Sequence, residues 1–318
     1  MELSTLIDGY LLYCHADGKS PRTIRWYTGK LSVFQEYIEQ KSDLRAADDL
    51  DVQIIRGFIV YLQTEVRADE LNPRKPTRKE HLSPYTIQGY VRVLKAFFSW
   101  AYREGLIQEN PTALVKVPKA PKEIVQTFSP AQVKALLSVI DTSTPTGFRD
   151  YCMVLTLLDT GVRLSELANL QLPALDLEQA HFRVIGKGAK ERIVPLGASL
   201  QKMLWKYVHR FRPEPVHPSI RVLFLTRDGR AIAPGTIYQK VKDYGEKAGI
   251  KGIRCSPHTL RHTFAKSFLM NGGDLFTLQK ILGHSSLDVV RLYVNLASDD
   301  VQVQHRRHSP VDMMKLKV

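Results

Sequence analysis

Apolar residues recur three and four positions apart over much of the first hundred residues, the spacing of helices that each bury one stripe. One such segment runs near residues 3–16 and stops at Gly18. Ser20-Pro21 then supplies an N-cap and a proline at the first helical position. It opens a helix to about Gln40 with Ile24, Tyr27, Leu31, Phe34, Tyr37 and Ile38 at helical spacing. A third helix is predicted from about Val52 to Val66. Ser83-Pro84 opens a fourth, carrying Ile87, Val91, Leu94, Phe97, Phe98 and Ala101 and ending near Gly105. Four helices with short connections predict a small bundle. Asn72-Pro73-Arg74-Lys75-Pro76-Thr77-Arg78-Lys79 is basic, broken by proline and without apolar period, so it is predicted to be a loop.

The pattern breaks at Val117-Pro118-Lys119-Ala120-Pro121-Lys122-Glu123, where two prolines and several charges predict an extended linker. Ser129-Pro130 starts a new helix. Another follows near 147–159, then a turn at Gly161 and a short helix from about Ser165. Alternation of period two first becomes clear at His181–Ile185 and Glu191–Pro195, joined as a hairpin through Gly186-Lys187-Gly188-Ala189. Helices dominate from there to about residue 296. The predicted fold class is mainly α with a small antiparallel β-sheet: an N-terminal helical bundle over 1–116, a linker over 117–127, an α+β domain over 128–298 and a tail over 299–318. The sequence carries no internal repeat and no low-complexity tract.

Charge narrows the partner. Forty-five Lys and Arg against 32 Asp and Glu give a formal net charge of +13 over 318 residues, while the hydrophobic fraction of 44% is ordinary for a globular protein. Such an excess favours a polyanion. Nucleic acid is the first candidate, since each neutralised phosphate releases counterions, and an anionic membrane surface is the second. No run of about 18 apolar residues is available to span a bilayer, and the start, Met1–Gly9, lacks the basic and apolar regions of a signal peptide. The protein is therefore expected to be cytoplasmic. Cys14, Cys152 and Cys255 are far apart and form no CxxC pair, so neither a disulfide framework nor a cysteine zinc site is indicated. No GxxxxGK[ST] motif points to a nucleoside triphosphate.

The C-terminal third concentrates the candidate chemistry: Pro257-His258-Thr259-Leu260-Arg261-His262-Thr263, then Leu282-Gly283-His284, then Tyr293. Upstream stand Arg163, in Thr160-Gly161-Val162-Arg163-Leu164-Ser165-Glu166-Leu167, and Lys187. Cleaving a phosphodiester without a metal needs an oxygen nucleophile, donors for the non-bridging oxygens and an acid for the leaving alkoxide. Tyr293 can be the nucleophile if a base or a positive site lowers the cost of its phenolate. Arg163 and Arg261 offer planar forks that match phosphate oxygens. Lys187, at a glycine-flanked hairpin tip, can reach a leaving oxygen as general acid, while Lys190 and Arg192 fit simple contacts to backbone phosphate. His258 and Arg261, three apart on a helix begun by Pro257, share a face. His258 can exchange a proton with Tyr293, and His284 can donate to a phosphate oxygen. His258 and His262 also have zinc-like HxxxH spacing, but position 259 is threonine where the HExxH motif has glutamate. His262 is read as a packing or supporting residue, and neither a metal nor a cofactor is expected.

At these residues the chain resembles the tyrosine recombinase, or phage integrase, family. The matching pieces are Thr160–Leu167, Gly186-Lys187-Gly188 with Lys190-Glu191-Arg192, His258–His262, Leu282-Gly283-His284 and Tyr293, in the family's order. The resemblance implies a SAM-like core-binding domain followed by the α+β catalytic domain, the two clamping double-stranded DNA at a recombination site. It implies that Arg163, Lys187, His258, Arg261 and His284 surround the scissile phosphate while Tyr293 attacks it. A 3′-phosphotyrosyl link and a free 5′-hydroxyl result, with Lys187 as acid. A homotetramer on two duplexes repeats the exchange through a Holliday junction, without ATP or metal and with an accessory protein in some settings. The chain is expected to begin directly with the core-binding helices, a layout that resembles the simple Xer-type and transposon-encoded members, and no arm-binding domain is expected. The basic loop at 72–79 then fits a DNA-facing position, although a solvated loop fits almost as well. The tail, with Val301, Val303, Val311, Met313, Met314 and Leu316 among basic residues, is expected to pass to a neighbouring protomer.

Two other readings stay open at this level. A type IB topoisomerase shares the covalent chemistry but relaxes supercoils without a partner duplex. A non-catalytic sequence-specific DNA-binding protein would keep the fold alone. Neither target sequence nor physiological role (integration, excision, transposition or resolution) is legible.

Overall fold

Two proline-opened helices and two others make the first unit, Met1–Glu123, and a mixed α/β arrangement makes the second, Ile124–Val318. The computed structural model describes residues 1–41, 46–68, 70, 80–121, 126–186 and 191–283. The expected loop at 72–79, the hairpin tip at 187–189, part of the linker and the tail at 299–318 lie outside the described residues.

In the first unit, α1 (Leu3–Ala16), α2 (Pro21–Lys41), α3 (Val52–Thr64) and α4 (Pro84–Arg103) form where the apolar period placed them. Their starts are chemically fixed. The Ser20 hydroxyl accepts from the Thr23 amide at 3.2 Å and the Ser83 hydroxyl from the Thr86 amide at 3.2 Å. The Asp51 carboxylate accepts from the Gln53 and Ile54 amides at 2.8 and 2.9 Å. The buried stripes meet in an aromatic core, where Phe34 stands edge-on to Phe58 and Phe98 with ring centroids 5.0 and 6.0 Å apart. Each fully buried phenylalanine contributes about 1.5–3 kcal/mol of transfer free energy. The expected short connections hold between α1 and α2 but not between α3 and α4, which residues 65–83 separate.

The second unit is organised around α6 (Pro145–Thr160). Phe148, Cys152, Met153, Val154, Thr156, Leu157 and Thr160 are all buried on it, so it is a central helix rather than a surface one. Before it comes α5 (Pro130–Ser138), held by a capping box between Ser129 and Gln132. After it come the short α7 (Leu164–Ala168) and a three-stranded antiparallel sheet of β1 (Leu175–Asp176), β2 (His181–Ile185) and β3 (Glu191–Pro195), in that order. Phe182 pairs with Val194 and Arg183 with Ile193. Phe182, Val184 and Val194 are buried while Arg183, Ile185, Glu191 and Ile193 are exposed. One-sided burial of this kind produces the two-residue alternation visible in the sequence. The strand β1 is too short to carry such a pattern.

Beyond the sheet, α8 (Ala198–Lys206) runs into a π-turn at Tyr207–Phe211. The expected helical dominance then lapses: residues 212–233 form no helix and return through the isolated bridges Gln171–Val222 and Leu225–Ala231. Helices resume with α9 (Pro234–Lys247), α10 (Pro257–Met270) and α11 (Leu275–Leu282). All three cysteines are buried and unpaired, and burial pushes the Cys152 thiol up to about 12, so it is inert. Among the described residues no helix is long and apolar enough to cross a membrane.

Candidate active site

The carboxyl end of α6 sets the site. Gly161 caps that helix in the left-handed conformation, with φ of +59°. The chain then turns back so that Arg163, extended at φ −71° and ψ 150°, becomes the N-cap of α7. Three residues on, Glu166 closes a box in which its carboxylate accepts from both the backbone and the side chain of the N-cap residue. Its Oε2 accepts from the Arg163 backbone amide at 2.8 Å, and its Oε1 from Arg163 Nη1 at 2.9 Å.

A second guanidinium reaches the same carboxylate from β3. Arg192 Nη1 and Nη2 donate to Glu166 Oε1 and Oε2 at 2.9 and 2.8 Å, a two-pronged pair. Burial alone would raise the Glu166 pKa. The hydrogen bonds and charge of Arg192, with those of Arg163, more than offset it and hold the group at about 2. Glu166 is therefore an anion at any working pH.

The same arginines converge on the carboxyl end of α11. Arg192 Nε donates to the Ile281 carbonyl at 2.8 Å, Arg261 Nη2 to the Leu282 carbonyl at 2.9 Å, and Arg163 Nη2 to the Gly283 carbonyl at 3.3 Å. Three successive carbonyls, left without partners by the end of a helix, are thus met by three cations at its negative pole. Arg261 Nη1 also donates to the Gly161 carbonyl, tying α10 to the end of α6. Gly283 caps α11 at φ +64°, and a Cβ there would lie 3.0 Å from Arg192 Cδ, Cζ and Nε. Three guanidiniums against one carboxylate leave a surplus of two positive charges at this point.

On α10, started by Pro257 and by the Ser256 hydroxyl accepting from the Thr259 amide at 3.2 Å, Arg261 is 3% exposed while His258 is exposed. The His258 ring stands 4.1 Å from that of His262 at 72°. Although the residue is exposed, its ring is partly desolvated. That desolvation, with the charges of Arg261 and then Arg254, lowers its pKa below the ordinary 6.5. His258 is thus neutral near pH 7 and able to accept a proton. Among the described residues no group of three or more His, Cys, Asp or Glu side chains is placed to hold a metal ion.

Of the residues singled out from sequence, Arg163 and Arg261 come to consecutive carbonyls at the end of α11, and His258 lies within electrostatic reach of Arg261. Lys187, His284 and Tyr293 lie outside the described residues, although Gly283, held by these contacts, is the neighbour of His284 in the chain. The expectation that Arg192 contacts backbone phosphate is corrected. Its guanidinium is committed to Glu166 and the Ile281 carbonyl, and its side chain is only 13% exposed. Glu166 was not singled out, yet it stands three residues after the N-cap, where a capping-box acid belongs. Arg192 gave no such signal, because its carbonyl partner is 89 residues away.

Comparison with known proteins bears on both units. Residues 126–299 match the phage integrase family and residues 5–119 the phage integrase SAM-like domain. The chain is similar to tyrosine recombinase XerD of Listeria innocua serovar 6a, at 30% identity over 97% of this chain and 99% of the relative. It is also similar to tyrosine recombinase XerD of Staphylococcus aureus strain Mu50, at 32% identity over 97% of this chain and 99% of the relative. The fold is similar to that of the XerH site-specific recombinase in a post-cleavage complex with a palindromic difH substrate, with a TM-score of 0.71 and 22% identity over 93% of this chain and 82% of that one. A lambda integrase dimer bound to a COC′ core site gives 0.69 and 18% over 91% of this chain and 97% of that one.

Proposed function

The chain belongs to the phage integrase family and is a tyrosine site-specific recombinase acting on DNA, and we propose that six of its side chains carry the reaction. Arg163 and Arg261 hold the non-bridging oxygens of the scissile phosphate, and His284 adds a donor. The Tyr293 phenol oxygen attacks phosphorus as its proton passes to His258. The bond from phosphorus to the 5′-oxygen breaks, and Lys187 protonates that oxygen. A 3′-phosphotyrosyl ester stores the broken bond's energy until the 5′-hydroxyl of a partner strand attacks it. Four protomers on two duplexes do this twice, through a Holliday junction. The working bounds are 1–116 for the DNA-clamping domain, 117–127 for the linker and 128–298 for the catalytic domain. Residues 299–318 serve as an exchanged tail, and an accessory protein acts in some settings.

The observation that supports the reading most is the meeting of Arg163, Arg192 and Arg261 on the last carbonyls of α11. A surplus of positive charge stands there beside a neutral histidine, just before His284 in the chain. A phosphate is the group such a point stabilises, most of all as charge builds in a transition state. The deciding experiment pairs two duplexes bearing the flanking sites of the gene and assays strand exchange beside plasmid relaxation. Recombinant products that need both duplexes are expected. Relaxation alone, with no exchange at any protein ratio, would return the reading to a topoisomerase.

A further inference from the structure

The opposite end of α6 carries a second concentration of arginine. A cavity of about 330 Å³ opens there, lined among others by Thr146, Phe211 and four arginines, Arg149, Arg210, Arg212 and Arg227, with no carboxylate in its lining. By the helical rise of about 1.5 Å per residue, the length of α6 puts it roughly 24 Å from the arginines at Gly161. It belongs to a different place from the active site just described.

The arginines are not equivalent. Arg149 is 5% exposed and built in: its Nε and Nη2 donate to Asp150 Oδ1 at 2.9 and 2.6 Å, and its Nη1 to the Leu225 carbonyl at 2.8 Å. Asp150 balances Arg149 and is shared further with the Tyr244 hydroxyl at 2.7 Å and with Lys240 Nζ at 3.5 Å, which leaves the charges of Arg210, Arg212 and Arg227 unopposed in the lining. Arg212 is set by bonds to the Leu223 and Val222 carbonyls, both 2.9 Å, which fix its plane without supplying an opposite charge. Arg210 and Arg227 are exposed and have no hydrogen-bond or ion-pair partner among the described residues. Thr146, second residue of α6, adds the positive pole of that helix. Two anchored guanidiniums, one of them paired with Asp150, two open ones and a helix amino end thus face one space whose lining holds no carboxylate.

We propose that this cavity is a second phosphate-binding site, taking phosphate groups between the anchored pair and the open pair of arginines. Guanidinium forks suit phosphate oxygens, and a partly enclosed wall of low dielectric strengthens the attraction. The phosphate comes either from a free diphosphate-bearing ligand or from the backbone of bound DNA away from the cleavage point. The volume exceeds that of a single phosphate, which suits both.

The test uses the full chain carrying Arg210→Ala with Arg227→Ala, two exposed positions whose loss leaves the fold intact. Lys202→Ala with Lys251→Ala, two exposed lysines of the same unit, removes equal charge elsewhere. Calorimetry with inorganic pyrophosphate and with ADP reads the first source. Salt titration of binding to a duplex ending just outside the cleavage position, and to one extended on both sides, reads the second. If a free ligand is the source, pyrophosphate or ADP affinity falls tenfold or more in the arginine pair and is unchanged in the lysine pair. If bound DNA is the source, the log–log salt slope on the extended duplex drops by about two in the arginine pair and by less in the lysine pair, with the short duplex unaffected. Equal behaviour of the two pairs in every titration overturns the proposal. The covalent adduct on nicked DNA should persist in the arginine pair, so failure here and failure of the active-site reading are separate results.

Discussion

Glu166 holds a negative charge in a buried position because the Arg192 guanidinium, the Arg163 backbone amide and the Arg163 guanidinium share it. Its pKa of about 2 lies below the ordinary 4.5, so the pairing stabilises the fold fully above about pH 4.5. That contribution, on the order of 3 kcal/mol, is lost as pH falls toward 2. Arg192→Ala leaves this carboxylate with one partner and should cost about 3 kcal/mol or more in urea unfolding at neutral pH, since an under-paired buried charge costs more than the pair contributes. Adding Glu166→Gln should recover part of that loss, and strictly additive losses would show that the two side chains act apart. His258 titrates in the other sense. Its pKa lies below 6.5, so cleavage limited by a neutral His258 should hold at neutral pH and fall only as the pH drops below that value. A rate that rises on acidification would remove it as base. At this scale the sequence exposed the residue types and the boxes they sit in, because Arg163, His258 and Arg261 lie in short local motifs. It hid the partner of Arg192, since nothing local records a contact 89 residues distant.

Helix starts were legible where a serine followed by proline acts through a bond to the amide three residues on, as at Ser20, Ser83 and Ser129. The sheet was legible only where one face is buried. The segment at 212–233 was not, because its shape follows from bridges to residues elsewhere, such as Gln171. The joint between α6 and α7 shows how an element end becomes a functional part. Gly161 combines φ of +59° with close packing: a Cβ there would lie 2.4 Å from Phe264 Cδ1 and 2.8 Å from Leu282 Cδ2. Gly161→Ala should therefore lower stability by about 2–3 kcal/mol through left-handed strain and overpacking together. It should also impair cleavage, because α10 and α11 would both have to shift against Arg163. Thermal unfolding and the adduct yield check the two parts, and an unchanged melting temperature would contradict the packing argument.

For the whole molecule, a net charge of +13 gives the field that draws the protein to a polyanion, and on the proposed reading Arg163 and Arg261 decide where the scissile phosphate stops. Binding to duplex DNA should weaken steeply with salt, the logarithm of the constant falling by about 0.9 for each phosphate neutralised. A constant that is flat across ionic strength would contradict the electrostatic part of the account. The reaction itself passes through a covalent link, which a denaturing gel reads. Nicked suicide duplexes from the DNA flanking the gene are incubated with the protein and with Tyr293→Phe, then run on a denaturing gel. A slow-migrating protein–DNA adduct is expected from the unaltered chain and not from Tyr293→Phe, while both bind the duplex equally. An adduct that persists in Tyr293→Phe, or DNA assembly by the unaltered chain with no adduct on any flanking site, would contradict this expectation.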